Sequence, residues 1–325
     1  MKYVLKRHVS VLAAVSLVAL LVLPSYAQAL DKLVVGRASI ALLFVPLEIG
    51  NKAGIWAKNG LDLQIVTLAG GAQLQQAFTA KSIEVGLGSG TSLAFVSKGV
   101  PIKSIAAFAG PPNSFVVVVP ANSPIKSVAD LRGKTMGFTQ AGALEDWLVR
   151  ELSRSQGWNP QDGIKGIALG ATRTRLAAMK IGELDSMTTT AEQGYELEAA
   201  GEGRIIVNFG HVVKHFITHA FYARNETIAE RPDVLRRFLT GWWETIDYMR
   251  ANRDITVDIA AAVMKLNKAS MAKSYDGAME MALPDGAFDP AALNVLSRSF
   301  VELGILEKEP DMASLYTTQF LPVRK

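Results

Sequence analysis

Val85-Gly86-Leu87-Gly88-Ser89-Gly90-Thr91-Ser92 sets the terms on which the rest of this chain is read. An apolar run with strand character, 85–88, empties into a turn of glycines and hydroxyls, and a helical pattern over 91–98 follows. Strand, small-residue turn and helix in that order form the unit from which parallel α/β sheets are assembled. The same unit recurs on both sides. Strands are predicted over 33–38, 61–68 and 102–108, with helices over 46–58 and 73–80, which completes one doubly wound unit. A second series begins with Phe115 to Pro120 and continues with strands over 135–138, 164–169, 186–189 and 204–209. Its helices fall over 144–156, 174–181 and 191–200, with Gly157 and Gly182 as the stops of the first two. From Ala229 onward the pattern is helical only, so this tail is expected to cover the first unit rather than to build a third sheet.

Composition limits what such a chain can be. Its 325 residues are 49% hydrophobic and 20% charged, the profile of a folded globular protein of one large domain or two lobes. There is no cysteine, which excludes disulfide scaffolds, CxxC metal sites and cysteine nucleophiles. The formal charge is +4, but Lys2, Lys6 and Arg7 stand in the first 29 residues without an acid, leaving 31 basic against 30 acidic residues beyond. A nearly neutral remainder lacks the basic field of a nucleic-acid binder.

Those three basic residues precede an apolar run from Val9 to Leu23, and Ala27-Gln28-Ala29 supplies a small-x-small cleavage site. Residues 1–29 are thus predicted to be a secretory signal peptide, because this 15-residue run would reach only about 22 Å as a helix, short of a ~30 Å hydrocarbon core. The expected location is the periplasm, with the chain released by cleavage.

In open α/β sheets ligands bind beyond the carboxyl ends of the strands, where small-residue turns let helix N-termini approach them. Three turns fit: Ala69-Gly70-Gly71-Ala72-Gln73, Gly88-Ser89-Gly90-Thr91-Ser92 and Thr139-Gln140-Ala141-Gly142-Ala143. Their amides and hydroxyls, aided by the helix dipole, suit an anionic group. None carries the lysine of a phosphate loop, no GxSxG elbow is present, and no acidic partner completes a dinucleotide fingerprint. Arg37, Arg173 and Arg175 could clamp a carboxylate or could be surface residues and ion-pair partners, while Phe44, Phe108 and Trp147 could wall a pocket or belong to the core. His211, His215 and His219 share one face on either a helix or a strand. A strand would spread them about 13 Å per four residues, and neither HExxH nor cysteine accompanies them, so no metal site is expected.

Further segments resemble a known family. Pro46-Leu47-Glu48-Ile49-Gly50 with Ala53-Gly54-Ile55-Trp56 and Asn59-Gly60-Leu61-Asp62-Leu63, then Asp130-Leu131-Arg132-Gly133-Lys134, then Gly182-Glu183-Leu184-Asp185, then Glu230-Arg231-Pro232-Asp233-Val234 occur in the order seen in periplasmic solute-binding proteins for nitrate, sulfonates, taurine and thiamine-pyrimidine precursors. The resemblance implies an α/β, two-lobed, type II periplasmic binding protein with interlobe crossovers near Phe115 and His219. Residues 30–114 with 224–325 would form one lobe and 115–223 the other.

By position, the family's ligand contacts fall on Ser39 and Phe44, on Gly71 and Gln73, on Ser89, Gly90 and Thr91, on Thr139, Gln140, Ala141, Gly142 and Ala143, and on Thr188 and Thr189. The implied function is capture of a small, sulfonate-like or carboxylate-like solute for an ABC importer, with a permease and an ATPase at the inner membrane as partners. The chain would act as a monomer, with no nucleic acid, cofactor or catalysis. A periplasmic sensor input, or an enzyme on the same scaffold, are the alternatives. The family's pyrimidine-making members use a cysteine-rich motif and a related desulfinating enzyme uses a nucleophilic cysteine, and this chain has neither.

Overall fold

The computed structural model describes residues 29–323, so the predicted export signal lies, apart from Ala29, outside the described residues. The strands are β1 (Asp31–Arg37), β2 (Leu61–Thr67), β3 (Val85–Ser89), β4 (Ile102–Ala109), β5 (Phe115–Pro120), β6 (Thr135–Phe138), β7 (Lys165–Ala168), β8 (Ser186–Thr190), β9 (Gly203–Asn208) and β10 (His219–Arg224). They form two five-stranded sheets, ordered β2-β1-β3-β10-β4 and β7-β6-β8-β5-β9. Each is covered by helices, which makes the fold α/β.

The sheets are mixed, not wholly parallel as the sequence rhythm suggests. β1 runs parallel to β2 and β3, and β6 parallel to β7 and β8, but β10 is antiparallel to both β3 and β4, and β5 to both β8 and β9. The cause is the chain's route. It leaves the first sheet after Ala109 and enters the second through β5, then returns through β10. Phe115 pairs with Thr190 at the carboxyl end of β8, and His219 pairs with Ser89 at the carboxyl end of β3. A strand that enters where its parallel neighbours finish must run against them. The return therefore precedes His219, and β10 belongs to the first sheet, so the boundary expected between 223 and 224 moves back to the start of this strand.

The 20-residue helix Pro232–Ala251 shows why the tail seeks the first sheet. Val234, Leu235, Phe238, Leu239, Trp242, Trp243, Ile246 and Met249 recur at three- and four-residue spacing and are all buried, with Pro232 fixing the first turn. Phe238 stacks on Trp56 at 5.5 Å and Trp242 meets Phe221 edge-on at 4.9 Å. Removing each such side chain from water contributes roughly 1.5–3 kcal/mol.

The last two long helices do more than cover the first sheet. Lys268–Met281 packs against Ala191–Ala199 of the second unit, where Asn267 donates its N–H to Glu196 Oε2 at 3.1 Å. Pro290–Glu302 packs on the Gly90–Ser92 turn through Leu296, and its far end is held by the helix Leu144–Ser155. There Trp147 Nε1 donates to Glu302 Oε2 at 3.2 Å, Arg150 Nη1 to the Glu302 carbonyl at 2.7 Å, and Arg154 pairs with Glu302 Oε1 at 2.9 Å. The tail thus bridges the two units, because its amphipathic faces extend beyond the edge of the first sheet. Gly157 and Gly182 do end their helices, at φ of 70° and 80°, where a side chain would be strained.

Candidate functional site

The carboxyl ends of both sheets face a cavity of about 640 Å³. Ser39, Ile40 and Phe44 after β1, Leu68 to Gly71 after β2, and Ser89 and His219 line one side. Phe115, Thr139, Gln140, Ala143, Glu145, Thr172, Arg175, Thr189 and Gln193 line the other. Of the residues singled out from the sequence, Ser39, Phe44, Gly71, Ser89, Thr139, Gln140, Ala143 and Thr189 reach this wall.

Gln73, Gly90, Thr91, Ala141, Gly142 and Thr188 are not among its lining residues, and most have local duties instead. The Gln73 carboxamide accepts the Ala69 N–H at 2.9 Å. A Cβ on Gly90 would stand 2.0 Å from the Ile217 carbonyl, so this position serves close packing of the returning chain. The Thr91 hydroxyl lies 2.8 Å from that of Ser89. Gly142 donates its N–H to Asp146 Oδ2 at 2.9 Å, and Thr188 is fully buried with its hydroxyl on Glu145 at 2.8 Å.

The first-sheet side is apolar. Phe44 and His219 have ring centroids 4.8 Å apart, and Phe108 stacks on the other part of His219 at 5.6 Å. Phe108 is therefore a backing residue, while Trp147 stacks on Phe216 at 4.4 Å beneath the tail and is core. Burial pushes the His219 imidazole down to about 4, against a smaller opposing effect of the Gly88 backbone, so the ring is neutral at pH 7. Its Nδ1 is buried without a hydrogen-bond partner.

His211 and His215 do not share its face. His211 lies in the short helix Phe209–Val212, His215 is exposed in the turn beyond it with Nδ1 3.4 Å from Asp289, and His219 opens β10. The expected common face fails because 209–219 is neither one helix nor one strand.

On the opposite side the charge is paired. Arg175 Nη1 lies 2.7 Å from Glu145 Oε2, both side chains being nearly inaccessible, and also donates to the Thr188 carbonyl at 2.6 Å. Its Nη2 donates to the Thr172 hydroxyl at 3.1 Å. Glu145 Oε2 accepts the Thr139 N–H at 3.0 Å as well. Arg37 is bound to Glu48 at 2.7 Å and to the Thr67 hydroxyl, behind the wall, and Arg173 is exposed outside it. Glu192, buried at the start of Ala191–Ala199, accepts the Leu42 N–H at 3.3 Å, and burial raises its carboxyl above the usual range.

A protein-family model described as NMT1/THI5 like matches residues 43–254. The chain belongs to the NMT1/THI5-like family. Among its relatives, a protein of Brucella abortus (strain 2308) named as a binding protein is 27% identical over 242 residues, 69% of this chain and 68% of the relative. A 4-amino-5-hydroxymethyl-2-methylpyrimidine phosphate synthase of Candida albicans is 23% identical over 220 residues, 64% of each chain. The solved alkanesulfonate-binding protein of Xanthomonas axonopodis pv. citri, bound to MOPS, superposes with a TM-score of 0.74 at 17% identity, covering 88% of this chain and 98% of that one. The fold of this NMT1/THI5-like protein is that of the periplasmic binding proteins, and its relatives include both binding proteins and synthases.

Sequence reasoning about this NMT1/THI5-like chain missed Glu145, Gln193, Phe115 and Thr172 on the cavity wall. A signal for Thr172 was present, because Leu169-Gly170-Ala171-Thr172 repeats the strand-turn-helix unit of the three chosen turns. Glu145 is less accessible to such reading: its role depends on Arg175, 30 residues away in another helix.

Proposed function

We propose that this protein is an exported, periplasmic substrate-binding protein of an ABC importer, which captures a small organic solute in the cavity and hands it to a membrane permease driven by an ATPase. It acts as a monomer, without cofactor or catalysis. Residues 30–114 with the chain from His219 onward form one lobe and 115–218 the other, closing on the solute about the two crossings. The observation that carries this reading is the 640 Å³ cavity enclosed by the carboxyl ends of two sheets that are joined by two chain crossings. Its apolar floor and few polar groups are the make-up of a small-molecule site. The binding-protein name of the Brucella relative and the fold of the alkanesulfonate-binding protein support it.

The synthase relative raises catalysis as a rival. Against it stand the absence of cysteine and the commitment of Glu145 and Arg175 to each other, which leaves no free acid or base between them. The alkanesulfonate-binding structure favours an anionic solute. The amide of Thr139 on the cavity wall lends that expectation less support, since it already donates to the Glu145 carboxylate.

The test is a thermal-shift screen of residues 30–325 against sulfonates, nitrate, carboxylic acids, amides and pyrimidines, after unfolding and refolding to strip carried solute. A ligand at about 100 times its Kd adds about 2.7 kcal/mol to the folded state. A selective rise in Tm supports the receptor reading. Turnover of a hit, followed by mass spectrometry, overturns it in favour of an enzyme.

A further inference from the structure

The cavity's donors carry an inference about what it selects, and it rests on the receptor reading. We infer that the Glu145 carboxylate occupies the place a ligand anion would take, so that the solute presents an uncharged hydrogen-bonding head group to the Arg175 side of the cavity. An anion in such a cleft is held by N–H groups at helix starts, by hydroxyls and by guanidinium groups that have no other acceptor. Here those donors converge on the chain itself. Glu145 Oε2 receives the Thr139 N–H at 3.0 Å, Arg175 Nη1 at 2.7 Å and the Thr188 hydroxyl at 2.8 Å. Three donors on one oxygen is the coordination an oxyanion guest receives.

Turn amides elsewhere around the cleft also donate to side chains of the protein. Asp146 Oδ2 takes the Gly142 N–H at 2.9 Å, Gln73 Oε1 takes that of Ala69 at 2.9 Å, and Glu192 Oε1 takes that of Leu42 at 3.3 Å. Among the described residues that line the cavity, the ionisable ones are Glu145, Arg175 and His219. The first two are paired and the buried imidazole is neutral at pH 7. A second anion would be set beside the carboxylate in a partly dehydrated space, where like charges repel strongly. Gln140, Thr172, Thr189 and Gln193 remain on the wall, and hydroxyls and carboxamides both donate and accept. They match an amide, a carbonyl or a hydroxyl, with Phe44 and Ile40 against the apolar body of the solute.

Glu145 is then a specificity determinant, and exchanging it reverses the choice. Isothermal titration of the wild type and Glu145→Gln uses two matched series: benzamide, benzoate and benzenesulfonate, then hexanamide, hexanoate and hexanesulfonate. Circular dichroism melts establish that the variant is folded. In the wild type the amide of a series binds about tenfold or more tightly than its carboxylate or sulfonate, because the anion meets Glu145. In Glu145→Gln the order inverts, since Arg175 has lost its counter-ion and an anionic guest supplies one.

A wild type that takes the anion as well as the amide overturns the inference and leaves the receptor reading standing. A folded Glu145→Gln that keeps the wild-type order also overturns it. Should the variant fail to fold, the wild-type order decides alone. When none of the six binds, native mass spectrometry of the freshly purified protein reads any carried solute. An uncharged one supports the inference, an anionic one overturns it, and an empty protein sinks the receptor reading together with it.

Discussion

The backbone N–H of Leu42 donates to the buried carboxyl of Glu192 at 3.3 Å, joining the turn after β1 to the first turn of Ala191–Ala199 across the cleft. Burial holds this carboxyl above its ordinary value, so its folded pKa lies above its unfolded one. Such a group contributes stability that is complete below about pH 4.5 and is lost as pH rises through the folded pKa. Glu192→Gln keeps the shape and the acceptor without the proton, and is expected to raise neutral-pH stability by about 1 kcal/mol while flattening its rise toward acid. Urea denaturation of both proteins between pH 4.5 and 8 measures this, and a variant weaker than the wild type at pH 7 contradicts it.

His219 slopes the other way. Its imidazole is lowered from 6.5 to about 4, so its contribution is intact above pH 6.5 and disappears as pH falls toward 4. The full loss amounts to about 3 kcal/mol. His219→Leu should remove the acid sensitivity between pH 6.5 and about 4.5, leaving the opposite trend of Glu192 and, at lower pH, the acid limb of Asp31, Asp130, Glu226 and Glu244, whose hydrogen bonds and ion pairs hold them below their ordinary values. Thermal melts at half-unit pH steps check it; an unchanged slope over that interval in the variant means the imidazole is charged or solvated in the fold.

Ser89→Leu is expected to abolish ligand-dependent stabilisation with the fold retained. Ser89 lies on the cavity wall and its hydroxyl bonds to those of Thr91 and Ser92, so the substitution costs about 1 kcal/mol and fills the site with a branched side chain. Undiminished stabilisation of the variant by a wild-type ligand would remove the cavity from the binding role.

Gly90→Ala tests the returning chain. The added methyl would lie 2.0 Å from the Ile217 carbonyl, which is backbone and cannot rotate away. We expect a loss of about 2–3 kcal/mol, read as a lower urea midpoint at unchanged slope. A variant within 0.5 kcal/mol of the wild type, roughly the spread of neutral surface substitutions, would show that this crossing is loosely packed.

Most of the strands could be read in advance because Val, Ile and Leu runs closed by glycine or hydroxyl residues have one local meaning, and β3 with its Gly88–Ser92 turn is the clearest case. The direction of β5 and β10 could not, since it depends on which sheet the chain has just left. The same distinction governs the cleft. Ser89 and Thr139 were visible as turn residues ahead of helices, whereas the partnership of Glu145 with Arg175 is made between two helices with no shared periodicity. Without that partnership the turn amides look open to an anion. Hydroxyl and glycine composition reports where a helix begins, but not which amides of the turn before it are already engaged.

Two covalent crossings by themselves would let the halves of this molecule swing like a door on its hinges. Glu302 adds a chain to that door. It is held through its carboxylate by Trp147 and Arg154 and through its carbonyl by Arg150, all on the helix whose first turn carries Glu145, and Trp147 in turn stacks on Phe216 of the return crossing. On the hinged reading proposed above, any swing wider than those three bonds permit must break them together, which makes the tail a limit stop lying outside the cavity.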